Sequence, residues 1–181
     1  MIICGYPGIG KTTLCKNCKD FIDLESSIYY NEDGKTRPDG WQQMYVNTAL
    51  WLSRDGYDIF MSCHEGVREL LADACEKDPN LIVFVIAPHP AFKQQWIRKL
   101  MNRAMTEGTE IAIRAYEWVP KTFNDDIESI IAGRLPYILI NDLNYDLTDI
   151  HDDLEYIWMY GKKDPAVNGM GYTIQLRGRK E

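Results

Sequence analysis

Near the start of the chain, Gly5-Tyr6-Pro7-Gly8-Ile9-Gly10-Lys11-Thr12 sets three glycines ahead of a lysine and a hydroxyl. The spacing G-x-x-x-x-G-K-T suits one task, which is wrapping backbone N–H groups around a phosphate. Glycines leave the loop free of side chains and let it take positive φ. A helix opening at about Lys11 would aim its unpaired N–H groups and its dipole at the same anion. On this reading Gly5, Gly8, Ile9 and Gly10 form the cradle, and Lys11 reaches the β- and γ-phosphates. The Thr12 hydroxyl ligates magnesium and Thr13 contacts the α-phosphate. The expected ligand is a nucleoside triphosphate with magnesium, and the site is a P-loop.

A second group with chemical potential follows in Phe21-Ile22-Asp23-Leu24-Glu25. Two carboxylates two residues apart at the end of a strand point the same way, into the crevice where open α/β sheets bind ligands. Asp23 is expected to help hold magnesium, and one of the pair to orient or deprotonate an attacking hydroxyl. A solvated pair at a strand end is the alternative. Lys93, Arg98, Lys99 and Arg103 then cluster on one predicted helix, with Arg114 beyond it. Phosphoryl transfer concentrates charge on equatorial oxygens, which positioned cations stabilise. Arg98 and Arg103 are the expected catalytic members, although five residues put them about 140° apart on an ideal helix. Arg68 is a candidate for an acceptor's phosphate or carboxylate. His64 reads as a substrate contact, a base or a helix cap. Trp41, next to the turn-rich segment 31–40, is a candidate substrate contact.

The elements that must position these residues alternate between strand and helix, the pattern of a parallel sheet covered on both faces. Strands are predicted at Met1–Cys4, Phe21–Leu24, Asp58–Ser62, Leu81–Ala87 and Tyr137–Ile140. Apolar stripes predict a helix after the glycine loop and others over Asp39–Arg54, Glu65–Glu76 and Pro90–Thr106. A further helix would use Phe123, Ile127, Ile130 and Ile131 with Asn124 as N-cap. A last one would use Ile150, Leu154, Ile157 and Trp158, capped near Thr148 or Asp149. In the second of these helices Trp41, Met44, Tyr45, Thr48 and Leu52 form the predicted stripe. Residues 161–171 resemble a linker, and Tyr172–Leu176 an edge strand.

Bulk properties narrow the function class. The 181 residues suit one domain, and a net charge of −7 argues against a broad nucleic-acid surface. Five cysteines in no framework spacing fit a reducing compartment. Cys15 and Cys18 read as helix-face residues rather than as half of a zinc site. No run is long enough to span a membrane, and a strand at the N-terminus is the expectation in place of a signal segment. A cytoplasmic protein with no N-terminal extension is therefore expected. No Asn-Lys-x-Asp is present to read guanine, and the third strand ends Ser62-Cys63-His64 with no carboxylate.

With those residues in view, the chain resembles the nucleoside monophosphate kinase and small-molecule kinase group of P-loop proteins. Within it, it looks most like phage-encoded adenylate-kinase-like or deoxynucleotide-kinase-like proteins. Phe21–Glu25 is similar to the F-x-D-x-D strand of shikimate kinases, with Glu25 in place of an aspartate. Met61–Arg68 is similar to the C-S-A-L-x-x-x-Y-R segment of gluconate kinases. Ile140–Thr148 resembles the family's last strand and capped helix. The resemblance covers residues 1–160, with residues 161–181 as a tail. It implies a three-layer α/β fold with a five-stranded parallel sheet in the order 2-3-1-4-5. It also implies ATP–magnesium as donor, an acceptor segment over residues 28–56 and an arginine-bearing lid over 90–115. The expected activity is transfer of the γ-phosphate to a nucleoside monophosphate or nucleoside. A sugar-acid kinase, a nucleic-acid 5′-end kinase and a slowly hydrolysing nucleotide switch are the alternatives.

Overall fold

The structure is a computed structural model, and it describes residues 1–17, 21–142, Leu147 and 171–172. Its centre is strand β1 (Ile2–Gly5), flanked by β3 (Asp58–Ser62) and β4 (Val83–Pro88), all parallel. Strand β2 (Phe21–Leu24) pairs outside β3, and β5 (Tyr137–Ile140) outside β4. The fold is thus the expected three-layer α/β arrangement, with parallel strands in the order 2-3-1-4-5. A two-residue strand, β6 (Gly171–Tyr172), adds to β5 in parallel. The remaining residues of the predicted edge strand and the predicted helix over 150–158, with its caps, lie outside the described residues, as does Cys18.

Burial agrees with the order. Every residue of β1 and β4 is buried, which matches apolar runs covered on both faces. Strand order reverses direction around β1, so the chain leaves β1 at the switch point where such sheets hold ligands. Helices α1 (Lys11–Asn17), α2 (Trp41–Arg54), α3 (Glu65–Lys77), α4 (Lys93–Glu107) and α5 (Glu110–Ala132) complete the layers. Among the described residues no helix is long and apolar enough to cross a membrane.

Three helix readings need correction. Helix α5 begins at Glu110, capped by Thr109, whose hydroxyl accepts from the Ala112 N–H at 3.3 Å. Asn124 therefore lies inside the helix, where it accepts from Lys93 Nζ at 3.1 Å. Pro120 stands in mid-helix, and Ile111, Ile113 and Trp118 are exposed, so the apolar stripe of the first half is broken. Ile131 is exposed, leaving Phe123, Ile127 and Ile130 as the core face. In α2 the buried face is Tyr45, Val46 and Ala49, and Met44 points outward. The stretch from Pro90 opens as a short 3-10 turn (Pro90–Phe92), and α4 proper starts at Lys93.

Candidate functional site

The glycine loop leaves β1 between its two neighbours, with Gly5 in register with Ser62 of β3 and Ile86 of β4. The Tyr6 N–H donates to the Ile86 carbonyl at 2.9 Å, and the Ile9 N–H to Tyr6 at 3.1 Å, which closes the turn. Gly8 and Gly10 adopt φ of 84° and 105°, values that L side chains disfavour. Gly5 is needed for space instead, because a Cβ there would lie 2.8 Å from Ile9 Cγ2 and 2.9 Å from Lys11 Cδ. Lys11 thus lies back across the loop. Thr13 is the first residue of the α1 turn whose N–H reaches a backbone carbonyl, that of Gly10 at 3.0 Å. The N–H groups ahead of it point out of the helix end, as helix geometry requires. Helix α4 braces the loop from outside. Trp96 is fully buried and its Nε1 donates to the Pro7 carbonyl at 2.9 Å.

Beside the loop, Thr12 Oγ1 donates to Asp23 Oδ2 at 2.6 Å. The other oxygen, Asp23 Oδ1, is buried and has no hydrogen-bond partner. Glu25 is held above the usual carboxylate range, first by burial and further by the charge of Asp23 and a hydrogen bond with it. Lys11 and Arg103 act in the opposite sense on Glu25. An unsatisfied buried carboxylate oxygen, a hydroxyl and a second carboxyl form the hard-oxygen environment that suits magnesium. Among the described residues no cluster of three such ligands forms a closed metal site. A cation held here would therefore complete its shell with phosphate oxygens and water. The carboxylate next to the loop thus comes from β2, through Asp23, and not from the end of β3.

Across the cleft the polar groups converge on Ser26, which is buried. Its hydroxyl accepts from Arg37 Nη2 at 3.0 Å and lies 3.3 Å from both His64 Nε2 and Ser62 Oγ. Arg37 is sandwiched between two rings, 4.3 Å from the Tyr30 centroid and 4.0 Å from that of Trp41. Its Nε is buried without a partner. His64 stands at the N-cap position of α3 but makes no side-chain cap bond. Burial, with Arg37, Lys11 and Arg68 nearby, pushes its imidazole down to about 4, so it is neutral at ordinary pH. Trp41 meets His64 edge-on at 5.5 Å, backing both His64 and Arg37 rather than lining the cleft. Arg68 is buried and donates to the Cys63 carbonyl and to Ser129 Oγ at 2.6 Å.

The cleft that joins these groups has a volume of about 1640 Å³. Pockets for one small ligand hold roughly 300–1,000 Å³, so this one has room for two. The structure brings Lys11, Thr12, Glu25, His64, Arg68 and Arg103 to its walls. Arg103 is paired with Glu107 one turn on, at 3.0 Å. Arg98 is exposed and does not line the cleft, as the angular offset between the two arginines implies. Lys99 takes its place on the wall, with its ammonium 4.6 Å from the Trp96 ring and its pKa lowered by burial. Cys63 is driven up to about 11 by burial, so it is no nucleophile at neutral pH.

Sequence reasoning missed Arg37 and Ser26. Arg37 had a signal in its neighbours, since a cation between Tyr30 and Trp41 invites stacking on both rings. No family model matches the chain, and no curated protein is significantly similar to it.

Proposed function

We propose that the chain is an ATP-dependent phosphotransferase that moves the γ-phosphate to a nucleoside monophosphate or nucleoside. The observation that carries this reading is the pairing of two unlike walls in one cleft. One is the glycine loop with Lys11, Thr12 and Glu25, backed by Asp23 bonded to Thr12; the other is the separate polar wall of Ser26, Arg37, His64 and Arg68. A second wall with its own cations supports a second ligand beside the nucleotide.

In this account the loop N–H groups and Lys11 hold the β- and γ-phosphates. Thr12 and Asp23 would hold magnesium, with Glu25 beside them. The ion, when bound, neutralises charge on the phosphate oxygens. Arg37 and Arg68 supply positive charge for an anionic acceptor. The acceptor oxygen forms a bond to the γ-phosphorus as the bond to the β–γ bridging oxygen breaks, leaving ADP. The acceptor's proton passes to Glu25, the carboxyl of this wall that lines the cleft. Arg103 and Lys99 face the transferring group from α4.

The test is a screen for ADP release from ATP–magnesium with nucleosides, nucleoside monophosphates and sugar acids offered as acceptors. Release that depends on a nucleoside or its monophosphate is expected. ATP binding with no acceptor-dependent release would overturn the proposal.

A further inference from the structure

Helix α5 turns one face into the cleft along most of its length. Ile111, Ala115 and Trp118, at i, i+4 and i+7, share that face and line the cleft. Ile111 is 52% and Trp118 62% exposed. Packing does not force them out, because α5 already has a core face in Ala112, Val119, Phe123 and Ile127. An apolar strip left open in a cleft that also holds Lys11, Arg37 and Arg68 is a surface that a planar ligand would cover.

Its position indicates which ligand. Arg114, one turn before Trp118, donates to the Gly34 carbonyl at 3.2 Å and lies 5.5 Å over the Tyr30 ring. Asp126 accepts from the Tyr6 hydroxyl at 3.2 Å, and Ser129 accepts from Arg68. Trp118 is four residues from Arg114, about 6 Å along the axis, and eight from Asp126, about 12 Å. It therefore stands nearer the Tyr30–Gly34 segment than the glycine loop. Along α5 the strip is flanked by charges of both signs, Arg114 being ion-paired with Glu110, while Arg37 also lies over the Tyr30 ring in the same cleft. A flat apolar face that shares a cleft with Arg37 and Arg68 is complementary to a base that carries a phosphate.

We infer that Trp118, with Ile111 and Ala115, is the stacking platform for the planar base of the acceptor. The acceptor is then a nucleoside or nucleotide and not a base-free sugar acid. The word acceptor rests on the phosphotransferase reading; stacking on Trp118 does not.

The test measures binding and transfer separately. Calorimetric titrations are run on the full chain with saturating non-hydrolysable ATP analogue and magnesium, so that the donor site is filled. The probes are nucleoside 5′-monophosphates carrying each common base, with ribose 5-phosphate as the base-free control. At least one nucleotide should bind more than about tenfold tighter than ribose 5-phosphate. Trp118→Ala should remove most of that advantage and leave affinity for the ATP analogue unchanged. Trp118→Phe should keep most of it. Trp51→Ala, an equally exposed tryptophan on α2 outside the cleft, should change nothing. Equal binding of ribose 5-phosphate, no nucleotide binding, or an undiminished nucleotide affinity in Trp118→Ala would each overturn the inference. So would a loss that falls on the ATP analogue instead. Transfer from ATP is then assayed with the tightest nucleotide. Stacking without transfer would keep the Trp118 assignment and defeat the phosphotransferase reading, whereas transfer to a base-free acceptor would do the reverse.

Discussion

The two walls of the cleft are built in different ways. The proposed donor side is chiefly one contiguous run, Gly5 to Thr13, rich in backbone N–H groups, with Lys11 and Thr12 in the run and the Asp23 and Glu25 carboxyls beside it. The proposed acceptor side is assembled from three distant places: Ser26 and Arg37 in the segment after β2, His64 and Arg68 after β3, and the cleft face of α5. A backbone site imposes steric demands at fixed spacing, as at Gly8 and Gly10 with their positive φ. A side-chain site imposes no spacing, because the fold brings its members together. Contiguity makes the first legible in a sequence and hides the second.

If that division is real, changes on one side should spare the other. The largest effect is expected from Lys11→Ala, which should weaken ATP binding and transfer by about 10²–10³-fold. Binding of the acceptor alone should stay unchanged, and calorimetry with each ligand separately would show it. Equal losses for both ligands would mean that the walls are not independent.

Next comes a pH effect confined to the Ser26–His64 wall. His64 has a pKa lowered from 6.5 to about 4 in the folded chain. Between those values the unfolded chain takes up the proton and the folded chain does not, so stability falls as pH drops through this window. The full contribution is on the order of 3 kcal/mol. Denaturant midpoints of wild type and His64→Gln should diverge from pH 4 to pH 7, the variant showing the flatter profile. Glu25, with its raised carboxyl, acts in the opposite sense but is present in both proteins. Parallel profiles would mean that His64 is not buried as described.

Arg37→Ala should follow, raising the acceptor KM by about 10-fold or more through loss of a charged hydrogen-bond donor. Affinity for ATP should not change. A change in ATP affinity alone would move Arg37 to the donor side. The smallest effects separate the two arginines of α4. Arg103→Ala should lower kcat about 10-fold, while Arg98→Ala, exposed and off the cleft, should leave kcat unchanged and stability within about 0.5 kcal/mol. A reversed order would show that α4 turns its other face to the reaction.

The same contrast explains what could be read in advance. The apolar run of β4 marked a strand buried on both faces, whereas the order 2-3-1-4-5 came from the resemblance to P-loop kinases and from no local pattern. The loop, and the Asp23/Glu25 pair at a strand end, follow from local spacing alone. The first half of α5 was hidden by Pro120 and by Ile111, Ile113 and Trp118 pointing outward, which together erase the helical stripe. Arg37 lies in a turn-rich segment with no periodicity, so only the flanking Tyr30 and Trp41 could have marked it. Between Arg98 and Arg103 the choice needed the rotation of α4 about its axis, which packing of Trp96 and Leu100 decides.

The most direct test follows the phosphate itself. The full chain is incubated with magnesium and ATP labelled with ¹⁸O on the γ-phosphate, together with nucleosides and their monophosphates, and products are read by mass spectrometry. The account predicts that label appears covalently on one of these acceptors, with ADP as the other product, and that Lys11→Ala abolishes it. Label found only in free orthophosphate, with every acceptor unchanged, would contradict it and leave a nucleotide hydrolase in its place.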